Sequence, residues 1–384
     1  MPEGSDPYSF GPYSFGHGRR IQRMSTHSWL AAVAALACST VVLSAQTSAP
    51  ADPNRRFLAL KDFRLESGVV LPVANVAYAT FGALNSARGN AVLVPSYYGA
   101  DYHGYDFLIG PGKALDPARY FVVATEMFGN GFSSSPSNTA APHAGPEFPA
   151  IAIRDNVEAS RRVLVHLGVT HVRAVTGFSM GAEQAFQWAV LHPDFMDGIV
   201  PWCGTAKTYP HGVVRLESAI RALTADPAFA GGRYTTPPKA GMAAWSTHWA
   251  AWVWSQEWWR RELFKPQSAT VEEALAARIA RDSVRDPNNL ILHARTWQKH
   301  NVGDTPGFGG DHEKALQSIT TRVLYMPCET DLYFPLGDAV YEKAFIKRLT
   351  FAPIPSLWGH SAGGGGNAAD AAFINDQIRA FLAR

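Results

Sequence analysis

Val172-Arg173-Ala174-Val175-Thr176-Gly177-Phe178-Ser179-Met180-Gly181-Ala182-Glu183 decides the fold of this chain. Val172–Thr176 is a short apolar run of the kind that forms a buried strand. Glu183 to Leu191 reads as a helix. Between them stands G-x-S-x-G, with Ser179 at its centre. A sharp strand-to-helix turn exposes a serine hydroxyl and brings neighbouring backbone close. Glycines flank the serine because Cβ atoms would clash there. The helix start also directs N–H groups toward any oxygen that gains negative charge nearby. The bland alternative is a serine that merely caps an ordinary helix.

Outward from this turn, the same alternation continues. Residues 57–66 and 71–80 alternate like an antiparallel hairpin. Apolar runs at 91–94, 120–124, 198–202, 322–326 and 349–354 read as buried strands. Helices are expected at about 154–167 and 369–383. Strand–helix alternation predicts an α/β fold with a mostly parallel sheet and helices on both faces. Residues 207–318 break the rhythm. They hold no convincing strand, and Trp245, Trp249, Trp252 and Trp259 fall near one helical face. This stretch reads as a helical lid insertion over the sheet's C-terminal edge, or as a packed subdomain with no substrate role. The core is thus divided into residues 46–206 and 319–384.

A serine hydroxyl is a poor nucleophile at neutral pH and needs a base. On such a sheet the acid and then the histidine follow the serine along the chain. Of 13 histidines, only His360 lies beyond the strand at 322–326. Its loop precedes the last helix. Glu329, Asp331 and Asp338 compete for the acid. Asp331 stands just past the strand, whereas Asp338 falls on the following helix, so Asp331 is assigned. Its task is to hold the imidazole tautomer and stabilise the imidazolium. Two backbone donors should receive the oxyanion: the N–H of Met180, and one after the strand at 91–94, where Tyr98 is favoured over Tyr97. Tyr97, Trp245 and Trp249 are candidate substrate-lining side chains.

The runs Ile153-Arg154-Asp155-Asn156-Val157, Leu167-Gly168-Val169, Gly177 to Ala189, Glu329 to Pro335 and Gly359-His360 resemble the homoserine O-acetyltransferase branch of the α/β-hydrolase superfamily. The resemblance spans about residues 57–384. It implies an α/β-hydrolase fold, acyl transfer through a serine ester, a helical lid and no metal. It covers acyltransferases and plain ester hydrolases alike. The transferases of the branch carry an acid directly after the catalytic histidine, to hold the amino group of homoserine. Here that position is Ser361. The arginine that holds the homoserine carboxylate has no counterpart within residues 245–259. Both departures point to water as acyl acceptor, hence a serine ester hydrolase acting on an apolar or aromatic ester. The rivals are an O-acyltransferase using the same acyl-enzyme and an inactive binding protein on the same fold.

Composition excludes other classes. The 384 residues carry a formal charge of +2, with 34 basic and 32 acidic side chains, which gives no reason to expect nucleic acid as partner. No H-E-x-x-H, C-x-x-C or Walker loop is present, so no metal and no cofactor is expected. The partner expected is a small-molecule ester. Residues 1–18 read as a disordered lead. Arg19, Arg20 and Arg23 then precede an apolar run, Trp29 to Ala45, that ends in Ser44-Ala45. Basic, apolar, small is the order of a signal peptide, and the run is too short and polar for a comfortable membrane span. Residues 1–45 are therefore assigned to a lead and signal, mature protein to a start near Gln46, and the enzyme to the periplasm or medium. After processing only Cys203 and Cys328 remain. They close two strands expected to be neighbours, so a disulfide is geometrically conceivable, but two buried free thiols are the expectation.

Overall fold

Eight strands form one sheet: β1 (Arg56–Arg64), β2 (Val70–Phe81), β3 (Ala91–Pro95), β4 (Phe121–Thr125), β5 (Ala174–Phe178), β6 (Gly198–Trp202), β7 (Arg322–Tyr325) and β8 (Leu349–Phe351). The computed structural model describes residues 52–384. The lead, the signal segment and the start near Gln46 lie outside the described residues. The strand order is β1-β2-β4-β3-β5-β6-β7-β8. β1 pairs with β2 and β2 with β4 antiparallel; every other pairing is parallel. The strict alternation expected for β1 and β2 does not hold: β1 buries only Leu60 and Phe63, and β2 buries Leu71, Ala74 and then four residues in a row, Val76 to Ala79, where it pairs with strands on both sides. β3, β4, β5 and β6 are buried throughout, which is why they read as unbroken apolar runs.

Successive side chains of β3 enter different cores, as the strand's twofold period requires. Leu93 packs in a cluster with Val157, Leu164, Phe186 and Trp188. Those residues come from α1 (Ile153–His166) and α2 (Met180–Leu191). Val92 and Val94 face the other cluster, which includes Ile374, Ile378 and Phe381. α2 begins at Met180, directly after Ser179, and not at Glu183. Eleven of its twelve residues are buried, so it has no amphipathic stripe to mark its start.

Between β6 and β7 the described residues form helices and no strand: α3 (Pro210–Thr224), α4 (Lys239–Val253), α5 (Gln256–Arg260), α6 (Val271–Asp282), α7 (Pro287–Gln298) and α8 (His312–Gln317). The expected single face of four tryptophans is corrected here. α4 stops at Val253, and Trp254 is extended. Ser255 then caps α5, accepting the Trp258 N–H. Trp245 and Trp249 are buried on α4. Trp252 packs on His211, while Trp259 sits on α5 against Trp254 and Trp258. After β7 come α9 (Leu336–Glu342) and α10 (Ala368–Leu382). β8 is shorter than read from sequence, because Pro353 and Pro355 follow it and lack the N–H a ladder needs. Ile354 alone returns to bridge Cys328. No helix of the described residues is long and apolar enough to cross a membrane.

Cys203 and Cys328 are both buried free thiols. Cys203 Sγ lies toward Gly363, and Cys328 Sγ toward the Ser356 carbonyl at 3.8 Å. Burial pushes the Cys328 thiol up to about 12, so little reactive thiolate exists at neutral pH. Alkylation of denatured, unreduced protein followed by peptide mass mapping is expected to label both residues. Recovery of a linked Cys203–Cys328 peptide would refute this.

Candidate active site

Ser179 sits where β5 ends and α2 begins, with φ 57° and ψ −123°. A non-glycine residue there is strained, and such strain persists only where surroundings hold it. Its N–H donates to the Trp202 carbonyl at 3.1 Å, and its carbonyl accepts from Ala182 and Glu183 at 2.8 and 3.2 Å. Its hydroxyl makes no capping bond, which separates it from an ordinary helix cap.

The flanking glycines answer a close approach. A Cβ on Gly177 would stand 2.0 Å from the Gly181 carbonyl oxygen, and one on Gly181 would stand 2.7 Å from that of Pro95. Gly177→Ala is therefore expected to lower stability by about 3 kcal/mol, at the upper end for overpacking. Gly337→Ala serves as control. Nothing lies within 4 Å of a Cβ at that exposed position on α9, and alanine suits a helix better than glycine. Urea denaturation checks both, and equal midpoints would overturn the close-contact argument.

His360 lies in a 3-10 turn, Gly359–Gly364. Its Nε2 is 3.0 Å from Ser179 Oγ and its Nδ1 is 2.8 Å from Asp331 Oδ2. The ring is stacked between Phe178 and Tyr333, at 4.7 and 4.3 Å between centroids. Packing thus fixes its plane while the two hydrogen bonds fix its rotation. Asp331 is 3% exposed, and its Oδ1 accepts from the N–H groups of Tyr333 and Phe334 at 2.7 and 3.2 Å. Of the three competing carboxylates, Asp331 alone reaches His360. Glu329 is exposed, and Asp338 lies in the first turn of α9.

Ser179 and His360 open onto a cavity of about 280 Å³. Tyr97, Tyr98, Trp245, Trp249, Trp254 and Trp297 form much of its wall. The three lining candidates read from the sequence, Tyr97, Trp245 and Trp249, are all on it, and so is Tyr98. Trp249 stacks on Trp297 at 6.1 Å with rings 5° apart, and Tyr98 donates its hydroxyl to the Leu290 carbonyl at 3.1 Å. The backbone N–H groups of Met180, Tyr97 and Tyr98 have no acceptor among the described residues. Arg215, 2% exposed on α3, donates to the Leu332 and Tyr333 carbonyls at 3.1 and 2.6 Å. It ties the helical segment to the loop that carries Asp331.

Sequence reasoning missed the cavity's charged residues. Arg278, Arg281, Asp282 and Arg285 line it from α6 and the turn beyond. Guanidinium groups are thus present, supplied by α6 rather than by residues 245–259. The signal was their spacing, since positions 278, 281, 282 and 285 share one helical face.

Comparison with known proteins agrees with this fold. A family model for the alpha/beta hydrolase fold matches residues 92–229. The ethyl acetate hydrolase of Pseudomonas veronii is 35% identical over 305 residues, covering 77% of this chain and 86% of that protein. The homoserine O-acetyltransferase of Symbiobacterium thermophilum is 32% identical over 356 residues, covering 83% and 91%. The crystal structure of the acetyl esterase MekB superposes with a TM-score of 0.84 at 32% identity, covering 86% of this chain and 97% of that one. The chain belongs to the α/β-hydrolase family. Within that family it falls in the branch that holds both ester hydrolases and homoserine O-acetyltransferases.

Proposed function

We propose that this protein hydrolyses small carboxylic esters through an acyl-enzyme on Ser179. The observation that carries this reading is the hydrogen-bonded chain from Ser179 Oγ through His360 to Asp331, facing an aromatic cavity. Ser179 Oγ attacks the ester carbonyl while His360 Nε2 takes its proton. The carbonyl oxygen gains negative charge, which the N–H of Met180 and that of Tyr98 or Tyr97 receive. His360 then gives its proton to the departing alcohol. A water enters, loses a proton to His360 and attacks the acyl carbonyl. Ser179 regains its proton as the acid leaves. Asp331 keeps the Nδ1 proton in place throughout.

The cavity's size favours short chains, and its aromatic wall favours apolar or aromatic groups. The helical segment between β6 and β7 supplies the four tryptophans of that wall and acts as the lid. Ser361 lines the cavity and brings no negative charge for an amino group, which favours water over homoserine as acceptor. We assign the enzyme to the periplasm or medium on the basic, apolar and small order of residues 19–45. N-terminal sequencing of native protein tests that assignment: a start near Gln46 supports it, and an intact Met1 or Met24 overturns it.

The test of the function is a p-nitrophenyl ester series, from acetate to dodecanoate, with and without acetyl-CoA and homoserine. Acetate to butyrate should be cleaved fastest, with hydrolysis outpacing transfer. Faster acetylation of homoserine than cleavage of any ester would overturn this reading in favour of the acyltransferase.

A further inference from the structure

Three guanidinium groups border the cavity that holds Ser179 and His360. Arg278, Arg281 and Arg285 follow one another along one face of α6 and its exit. A single carboxylate of the cavity wall, Asp282, faces them. Its shortest bond is from a neutral group, the Ser246 hydroxyl at 2.8 Å. The three Nε atoms stand farther off, at 3.6 Å for Arg278, 3.3 Å for Arg281 and 3.7 Å for Arg285. One carboxylate shared among three cations leaves two positive charges in excess on this wall. The arginines are also graded in depth. Their side chains are 11% exposed at Arg278, 36% at Arg285 and 61% at Arg281.

A second cavity of about 590 Å³ adjoins the first, and Arg281 and Arg285 line both. Two further carboxylates border this outer space, and Asp286, held only by neutral groups, keeps its charge and offsets one of the two excess cations. Asp101 pairs with Arg55 at 2.7 Å, and Asp286 accepts from the Tyr234 hydroxyl and the Asn289 N–H at 2.8 and 3.0 Å. Arg285 also donates to the Gly99 carbonyl. Arg281 has no hydrogen bond among the described residues besides that to Asp282. Cations held close together in a partly buried wall repel one another, and an anion placed among them relieves this.

We propose that the substrates are esters that carry an anionic group, a carboxylate in the first place, seated among Arg278, Arg281 and Arg285 where the two cavities adjoin. The ester carbonyl then lies at Ser179, and the apolar part lies against Tyr98, Trp245 and Trp249. This deepens the ester-hydrolase reading and rests on it.

The test compares charged and neutral esters that share one scissile bond. One pair places the charge on the alcohol: 4-acetoxybenzoate and its methyl ester. The other places it on the acyl group: the mono-4-nitrophenyl ester of adipic acid and its methyl diester. In at least one pair the anion should show a KM about tenfold lower at low salt. That preference should shrink as sodium chloride is raised. In an Arg281→Gln/Arg285→Gln double variant the charged-to-neutral ratio should fall toward one. Equal or higher KM for the anion in both pairs, with all four esters cleaved, overturns this proposal and leaves the ester hydrolase standing. If none of the four is cleaved, the ester-hydrolase reading fails and the proposal falls with it.

Discussion

Ser179→Ala is expected to lose ester hydrolysis by about a million-fold, the scale seen when a nucleophile that works in concert with a base and an acid is removed. The change deletes one oxygen, which is 3.0 Å from His360 Nε2. Nothing else in the turn depends on that oxygen. Its backbone bonds to Trp202, Ala182 and Glu183 are made by main-chain atoms. Alanine meets the same strain at φ 57° as serine does. The variant should therefore fold with an unchanged thermal midpoint. The pair of measurements is turnover of p-nitrophenyl acetate and a melting curve by circular dichroism. A folded variant that keeps more than about a hundredth of the activity sinks the assignment.

Asp331→Asn should cost about ten-thousandfold in kcat with KM little changed. The direction follows from the loop. Oδ1 of Asp331 is held by the N–H groups of Tyr333 and Phe334. An asparagine keeps those two bonds only by placing its carbonyl oxygen there. Its amide N–H then points at His360 Nδ1, which must accept. The ring proton moves to Nε2, where it blocks acceptance from Ser179 Oγ. Glu329→Gln and Asp338→Asn, which touch neither His360 nor Ser179, should stay within about twofold of the parent, as surface changes do. A fall at Glu329 matching that at Asp331 would reassign the acid.

Much of this site was legible in the sequence, for physical reasons. Strands buried on both faces leave unbroken apolar runs, so β3 to β6 announced themselves. The close packing at Gly177 and Gly181 admits nothing larger, so the turn was written in glycine. The acid and base each follow a strand near the end of the chain, where few alternatives compete. Other parts left weaker marks. The helix after Ser179 is buried on nearly every side, so its first turn shows no periodicity. Trp259 shares helical spacing with Trp245 and Trp249, yet Ser255 restarts the helix between them. Arg278, Arg281 and Arg285 look in sequence like an ordinary solvated face. Only the path of α6 beside the cavity buries Arg278 and sets Arg281 and Arg285 at its rim.

The pairing of β6 with β7 has a further consequence, in the order of biosynthesis. Residues 203–321 intervene between these adjacent strands. Closing so long a loop is costly in chain entropy and makes the contact slow to form. Ser179 and His360 are 181 positions apart. At typical rates of about 5–20 residues per second, the ribosome takes about 10–40 s to travel from one to the other. Throughout that interval the nascent chain carries its serine without a base. α10, made after all eight strands, covers one face of the sheet and buries Ile374, Ile378, Phe381 and Leu382. A chain cut short anywhere before it lacks this seal on one face of the sheet. The emerging polypeptide is thus chemically silent toward esters until His360 has been made.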